Sequence, residues 1–167
     1  MRIFLIGYML SGKSTVGKKI SKSLGLEFID TDKYITQKYH TTINEIFATK
    51  GEEYFREIET QTLLELIQKD NVLISTGGGM PCFNNNISLI NQNGISVYLK
   101  CSPLTILQRL QTSKTSRPIL KTKSTDELFD YVHKNIAERE EYYNQANLII
   151  KGESPNLKEL ISQIQNL

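Results

Sequence analysis

Residues Gly7 to Ser14 form a phosphate-binding motif near the start of the chain. They match the pattern G-x-x-x-x-G-K-[ST], directly after the apolar run Ile3 to Ile6 and directly before a helical stretch. A strand, a loop and a helix in this order aim backbone N–H groups and the positive end of a helix at one point. The sequence therefore predicts that a triphosphate tail binds here, mainly through main-chain donors.

Side chains of this loop have separate expected roles. Lys13 should reach the β- and γ-phosphates, and the Ser14 hydroxyl should ligate Mg²⁺. Leu10 stands where many small-molecule kinases have another glycine, so we expect a slightly stiffer loop. The loop residues expected to contact the nucleotide are Leu10, Ser11, Gly12, Lys13, Ser14 and Thr15.

Two carboxylates follow the second candidate strand. Asp30 and Asp32 lie at the carboxyl edge of the expected sheet, where ligands bind in doubly wound folds. For an isolated pair the simpler interpretation is that Asp32 caps the next helix and Asp30 starts a turn. Beside a phosphate loop, we expect one carboxylate to hold a water of the Mg²⁺ shell. The other should orient an acceptor hydroxyl or take its proton.

Arg56 and Glu59 are three residues apart on a predicted helix and therefore share a face. The spacing is compatible with a surface ion pair, which contributes little stability. It is equally compatible with an orienting contact in which Glu59 aims the Arg56 guanidinium at a planar anion. The sequence leaves both interpretations open.

Three successive glycines, Gly77 to Gly79, follow the third candidate strand. Glycine has a high entropic cost on folding, so we expect this run to allow close backbone approach to a ligand. A plain tight turn is the alternative.

Further along, Arg117 lies in a polar segment from Thr112 to Thr125. A flap that carries this arginine onto ATP would exclude water, whereas a solvated arginine is the ordinary alternative.

Short apolar strands alternate with longer helical patterns, which is typical of a parallel sheet built from βαβ units. The predicted fold class is α/β, in one domain that spans residues 1–167. Thr42 and Asn156 are expected helix caps. We expect strands at Arg2–Ile6, Glu27–Ile29, Val72–Ser75, Ile95–Leu99 and Asn147–Ile150. We expect helices at Lys13–Leu24, Asp32–Tyr39, Ile43–Thr49, Gly51–Gln68, Asn85–Gln92, Pro103–Leu110, Asp126–Asn144 and Leu157–Asn166.

Composition argues against several classes of protein. The chain has 20 Lys and Arg against 18 Asp and Glu, spread along its length, so nucleic acid is not the favoured partner. Cys82 and Cys101 lack the spacing of a zinc site or redox pair and indicate reduced thiols in a cytosolic protein. The apolar run before Gly7 is too short for a signal peptide. No run approaches the ~18 apolar residues of a membrane span, and without heptads we expect a monomer.

In order, these motifs resemble the shikimate kinase family. The set G-x-x-x-x-G-K-S, D-T-D, F-R-x-x-E, G-G-G, R-P and E-R extends over nearly the whole chain, from Arg2 to about Pro155. The resemblance implies a nucleoside monophosphate kinase type of fold, with three α/β/α layers and a five-stranded parallel sheet ordered 2-3-1-4-5. It also implies a substrate-binding helical region at about 32–60 and a lid at about 112–125.

The resemblance further implies a reaction, the transfer of the γ-phosphate of ATP to the 3-hydroxyl of shikimate in aromatic amino-acid biosynthesis. Lys13 and Ser14 would serve ATP and Mg²⁺, and Asp30 would hold the metal through water. Asp32 would bind the shikimate hydroxyls and activate the acceptor. The other implied contacts are Arg56, Arg139, Gly77, Gly78, Gly79, Phe47 and Phe55 to shikimate, with Arg109, the lid residue Arg117 and Pro155 on ATP.

Some features depart from the family or leave rivals open. Glu140 and Glu141 follow Arg139 where the family commonly has a small residue and a proline, and we expect both to face solvent. A kinase of gluconate or of a nucleoside monophosphate would share the phosphate loop, although Asp30 and Asp32 together with Arg56 favour a hydroxylated acid. A regulatory GTPase or nucleotide sensor is another class, but the sequence has no N-K-x-D guanine motif.

Overall fold

The structure is a computed structural model that describes residues 1–113 and 124–167. At its centre is a five-stranded parallel sheet with the order β2-β3-β1-β4-β5. The α/β class and the strand order implied by the resemblance are both confirmed. The strands are β1 (Arg2–Ile6), β2 (Glu27–Asp30), β3 (Val72–Ser75), β4 (Ile95–Lys100) and β5 (Leu148–Lys151).

The helices lie close to their predicted positions, with ends that differ by a residue or two. A short 3₁₀ helix at Met80–Cys82, directly after the glycine run, was not predicted. The α-helices of the described residues are α1 (Lys13–Leu24), α2 (Thr31–Tyr39), α3 (Ile43–Leu66), α4 (Asn86–Asn93), α5 (Pro103–Thr112), α6 (Thr125–Tyr143) and α7 (Leu157–Gln165).

Helix α3 is interrupted at Gly51, where the sequence predicted a boundary between two helices. Gly51 has φ 84° and ψ 173°, a conformation that favours glycine, so the helix axis breaks there. Thr42 begins the first part with a capping box to Glu45, as predicted. The break separates the segment that carries Phe47 from the segment that carries Phe55 and Arg56.

Strand β1 is buried on both faces, which fits the centre of a parallel sheet. Phe4 and Ile6 contribute to the core on one face, whereas Ile3 and Leu5 pack in a second core with residues of α1 and α7. A third, smaller cluster joins α2 to α3 through Ile35, Ile46, Phe55 and Ile58. This third cluster packs α2 against α3, the helices of the expected substrate region.

The strand register brings the ends of three strands together. Ser75 of β3 lies opposite both Asp30 of β2 and Leu5 of β1. The segments that follow these strands therefore leave the sheet at one edge, as expected for ligand binding in such folds. Most of the expected lid, including Arg117, lies outside the described residues. No helix in the described part of the chain has the length and apolar character needed to cross a membrane.

Candidate active site

The phosphate loop connects β1 to α1 and holds the amino group of Lys13. Lys13 is only 8% exposed, and its Nζ donates to the carbonyl oxygens of Gly7 at 2.7 Å and Tyr8 at 2.8 Å. Gly12 precedes it with φ 100°, a region that strongly favours glycine. The ammonium group is therefore held against the loop, where a polyphosphate can exchange with these two carbonyls.

Leu10 adopts a left-handed backbone conformation with φ 60°. For a residue other than glycine, this region costs on the order of 1–2 kcal/mol. Two contacts compensate: the side chain packs against the buried core, and its carbonyl accepts a hydrogen bond from Arg109 Nη1 at 2.7 Å. Both contacts restrict the middle of the loop, whose stiffness stays a prediction.

An open cavity of about 700 Å³ extends along the loop, a size suited to a nucleotide or another small ligand. Ser11, a residue of the loop itself, is buried and does not line the cavity. Arg109 and Pro155 lie on its wall together with Gly152, whose carbonyl accepts from Arg109 Nη2 at 3.3 Å. The lining residues are Met9, Leu10, Gly12, Lys13, Ser14, Thr15, Val16, Lys19, Asp30, Asp32, Ser75, Thr76, Gly77, Gly78, Arg109, Thr112, Gly152, Glu153, Pro155 and Leu157.

Ser14 and Asp30 face each other on this wall. The Ser14 hydroxyl donates to Asp30 Oδ2 at 2.6 Å. Both are hard oxygen donors, and Mg²⁺ typically takes one or two protein ligands and completes its shell with water and phosphate oxygens. This donor set fits Mg²⁺. The described residues contain no cluster of three or more His, Cys, Asp or Glu that would suit a metal held by protein alone.

The two carboxylates of the D-T-D segment play different structural parts. Asp30 is the cap of α2, because its Oδ1 accepts from the Lys33 N–H at 3.3 Å. Asp32 lies in the first turn of α2, exposed and on the wall of the cavity. The capping alternative considered for Asp32 is therefore wrong, because Asp30 already fills that position. The Asp32 carboxylate lies beside Gly77 on the cavity wall.

The glycine run is tightly packed by other residues of the site. A Cβ on Gly77 would lie 2.7 Å from Asp32 Oδ1 and 3.0 Å from Glu59 Oε1, and one on Gly79 would overlap the Arg56 guanidinium. The Gly77 N–H is engaged, since it donates to Thr31 Oγ1 at 2.8 Å. These positions lack side chains because charged groups need the space, so the plain-turn alternative does not account for them.

Arg56 is held by two carboxylates and an aromatic ring. Its Nη1 donates to Glu59 at 2.6 Å and its Nη2 to Glu52 at 2.9 Å. The side chain of Arg56 is 11% exposed and that of Glu59 only 2%, so this is no surface ion pair. Burial raises the pKa of Glu59 to about 7, and the Arg56 guanidinium offsets part of that rise. Of the two interpretations left open, the geometry favours the orienting contact.

Aromatic rings surround the same guanidinium. The Arg56 carbon Cζ lies 4.0 Å from the ring centroid of Phe83 and 5.5 Å from that of Phe55, distances suited to cation–π contact. Phe47 and Phe55 have ring centroids 4.7 Å apart. Phe55 is buried, whereas Phe47 is partly open to solvent. These rings form an apolar wall beside the charged groups of Arg56 and Glu59.

Arg139 approaches from α6. Its Cζ lies 5.4 Å from the ring centroid of Tyr8, and its Nη1 would be 3.5 Å from a Cβ on Gly78. The structure thus brings Arg139, Arg56 and Asp32 together around the glycine run, a group that we call the acceptor end for the role proposed below. Asp32, Gly77 and Gly78 of this group line the cavity, whereas Arg56 and Arg139 do not. Arg117 belongs to residues 114–123, which the structure does not describe.

The two glutamates after Arg139 do not compete for its guanidinium. Glu140 forms an ion pair with Lys100, and Glu141 is exposed. Glu141 thus faces solvent as expected, whereas Glu140 is half-buried against Lys100, a partner that the sequence did not indicate.

Sequence reasoning missed three residues of the site. Thr31 holds the Gly77 N–H, Phe83 stacks on Arg56, and the Tyr143 hydroxyl donates to the Gly78 carbonyl at 2.5 Å. Each contact joins segments distant in sequence. Only Thr31 carried a local signal, since it lies between the two aspartates.

Comparison with known proteins gives concordant matches. The shikimate kinase family model matches residues 9–167. The chain is 45% identical over 164 residues to the shikimate kinase of Azobacteroides pseudotrichonymphae genomovar. CFP2, which covers 98% of this chain and 96% of that protein.

Solved structures agree with the sequence matches. A crystal structure of shikimate kinase from Bacteroides thetaiotaomicron superposes with a TM-score of 0.91 at 39% identity, covering 99% of this chain and 97% of that one. The shikimate kinase from Acinetobacter baumannii in complex with shikimate superposes with a TM-score of 0.83 at 33% identity, covering 99% and 90% of the two chains.

Glu59 should make the stability of the protein depend on pH. Its pKa rises from 4.5 to about 7 on folding, so the folded state binds this proton more tightly than the unfolded chain. The contribution of Glu59 to the free energy of unfolding is therefore complete below about pH 4.5 and is lost as the pH rises through about 7. Glu59→Gln cannot titrate. Urea unfolding gives the free energy of unfolding of both proteins at each pH. The value for the wild type minus that for the variant should fall as the pH rises across this window, and a constant difference would contradict the assignment to Glu59.

Proposed function

The chain belongs to the shikimate kinase family, and we propose that it transfers the γ-phosphate of ATP to the 3-hydroxyl of shikimate in the crevice described above. The products are shikimate 3-phosphate and ADP. The observation that carries the proposal is the position of Asp32 and two arginines beside the phosphate loop. Shikimate is a small polyhydroxy acid, which needs acceptors for its hydroxyl groups and cationic forks for its carboxylate.

The phosphate loop would bind the tail of ATP through its backbone N–H groups and the start of α1. Lys13 would leave the carbonyls of Gly7 and Tyr8 to contact the β- and γ-phosphates. Ser14 and Asp30 would hold Mg²⁺, Asp30 through water. When bound, Mg²⁺ supplies neutralisation of charge on the β- and γ-phosphates.

Other residues would hold the nucleotide at its adenine end and close the site. Arg109 and Pro155 line the cavity away from the acceptor end and are proposed adenine contacts. Leu10, Ser11, Gly12 and Thr15 complete the phosphate loop. Arg117 is proposed to move onto ATP and exclude water, since phosphoryl transfer depends mainly on positioning and charge neutralisation.

At the acceptor end, Asp32 would orient the 3-hydroxyl of shikimate and accept its proton. The oxygen then forms a bond to the γ-phosphorus as the bond from that phosphorus to the β-phosphate oxygen breaks, and ADP leaves. Arg56 and Arg139 would bind the shikimate carboxylate. Gly78 and Gly79 would contribute backbone N–H groups and Gly77 the space beside Asp32, with Phe47 and Phe55 against the ring.

We also propose that the protein works as a monomer in the cytoplasm. The sequence has no heptad pattern that would indicate a helical dimer interface. Cys82 and Cys101 are free thiols, as is usual in a reducing compartment.

A coupled assay of ADP release tests the reaction directly. With ATP and Mg²⁺, we expect strong turnover on shikimate and little on gluconate or AMP, because gluconate has no ring and AMP has no carboxylate. Quinate, which has both, is the more stringent comparison. Preferred turnover on AMP or gluconate would retain the phosphate site but overturn the acceptor assignment. Tight nucleotide binding without any turnover would revive the nucleotide-sensing alternative.

Asp32→Asn should reduce kcat by roughly a hundredfold or more, because a positioned base is lost, while the KM for ATP stays nearly constant. Asp130→Asn, the same change at an exposed position of α6, is the control. Steady-state kinetics on shikimate measure both. Wild-type kcat in Asp32→Asn would remove Asp32 from its proposed role.

Arg139→Ala should raise the KM for shikimate on the order of ten- to a hundredfold, the range for loss of charged hydrogen bonds, with the KM for ATP unchanged. Lys134→Ala, at an exposed position on the same helix, should change neither value. A variant with unchanged KM for shikimate would exclude Arg139 from the carboxylate site.

A further inference from the structure

Tyr143 is a fully buried residue that bonds to the backbone of the glycine run. It is the last residue of α6, is 0% exposed, and donates its hydroxyl to the Gly78 carbonyl at 2.5 Å. Its ring packs against Tyr98 with the centroids 5.0 Å apart. Burial of the Tyr143 side chain shields the donor from water, which makes this hydrogen bond electrostatically stronger than one between two exposed groups.

This hydrogen bond fixes the peptide group between Gly78 and Gly79. In a planar trans peptide, the carbonyl oxygen of one residue and the N–H of the next point in opposite directions. A carbonyl that points into the core at Tyr143 therefore directs the Gly79 N–H away from the core. Glycine is otherwise the residue with most freedom to rotate such a peptide.

The fixed peptide lies between the two arginines of the acceptor end. A Cβ on Gly78 would be 3.5 Å from Arg139 Nη1, and one on Gly79 would overlap the Arg56 guanidinium. Two neighbouring N–H groups of this turn are used internally: Gly77 donates to Thr31, and Met80 donates to the Gly77 carbonyl at 3.2 Å. Within residues 1–113 and 124–167, we find no protein acceptor for the Gly79 N–H.

Tyr143 also connects this peptide to Arg139, which lies four residues earlier on the same face of α6. Burial raises the pKa of Tyr143 far above its ordinary value, and the nearby Arg139 guanidinium offsets only part of that rise. The hydroxyl therefore keeps its proton and remains a donor over the physiological range of pH.

We propose that Tyr143 is a positioning residue for the acceptor, whose hydroxyl holds the Gly78–Gly79 peptide so that the Gly79 N–H meets the shikimate carboxylate or ring hydroxyls beside Arg139. Tyr143 itself does not touch the substrate. This inference rests on the proposed function, because it assigns a role in binding the same acceptor.

Tyr143→Phe removes only the hydroxyl and tests the inference. We expect the KM for shikimate to rise about five- to tenfold, because the hydrogen bond of the hydroxyl to Gly78 and its contact with Arg139 are lost, with kcat and the KM for ATP within about twofold of wild type. Tyr98→Phe is the matched control, because it removes a hydroxyl from the neighbouring buried tyrosine, which does not bond to the turn. It should leave all three constants unchanged.

A spectroscopic measurement separates positioning from a general loss of structure. Gly78 and Gly79 are the only glycines preceded by another glycine, so protein labelled with ¹³C-carbonyl, ¹⁵N-glycine gives carbonyl-to-amide correlations for these two alone. We expect shikimate to shift the correlation of the Gly79 amide in the wild type. In Tyr143→Phe without ligand, the Gly78 carbonyl should shift, whereas Tyr98→Phe should match the wild type.

The outcomes distinguish two failures. Wild-type protein that does not phosphorylate shikimate would overturn the proposed function. Wild-type turnover with an unchanged KM for shikimate in Tyr143→Phe, or with a Gly79 amide that does not respond to shikimate, would overturn the positioning role alone. An equal rise in the KM for ATP and for shikimate would also overturn it, since that indicates general damage. If the variant does not fold, the wild-type titration still tests the contact, because a Gly79 amide that does not respond to shikimate overturns the positioning role.

Discussion

The parallel pairing of β1 with β3 is the constraint on which the whole site depends. Leu5 lies opposite Ser75, and the Leu5 carbonyl accepts from both the N–H and the hydroxyl of Thr76, at 3.1 Å each. This contact fixes the distance between the phosphate loop, which follows β1, and the glycine run, which follows β3. A slip of one residue in this pairing would displace the phosphate loop relative to the glycine run by about 3.3 Å. It would also turn every side chain of the strand to the opposite face.

The acceptor end balances its charges before any ligand binds. Burial of Glu59 is tolerated because Arg56 lies against it, and Asp32 and Arg139 are near enough to act on its pKa in opposite directions. Buried charges are stable only when they are paired. The missing side chains of Gly77 and Gly79 allow these groups to approach closely. Because the charged groups already hold one another, little reorganisation is needed when an anionic acceptor arrives.

The sequence was most informative where the chemistry is local. The phosphate loop, the aspartates after β2 and the Thr42 capping box each depend on neighbours a few residues apart, so spacing alone located them. The class and strand order followed from alternation and from the family resemblance. The sequence did not indicate the Phe83 contact with Arg56 or the Tyr143 bond to Gly78, which join segments 27 and 65 positions apart. It also could not decide which aspartate caps α2, because aspartate is a preferred cap residue and both positions lie near the start of the helix. Tertiary geometry assigned that place to Asp30.

The bonds from Lys13 to the Gly7 and Tyr8 carbonyls give the loop an internal competitor for its own ligand. Every nucleotide that recruits this ammonium must first displace two carbonyl oxygens. In the proposed reaction, ATP would offer this lysine oxygens of both the β- and the γ-phosphate, whereas ADP would offer only those of the β-phosphate. Displacing the two carbonyls costs the same for both nucleotides, so we expect it to take a larger share of the binding free energy of ADP than of ATP. A loop that satisfies its own lysine would in this way favour release of the product.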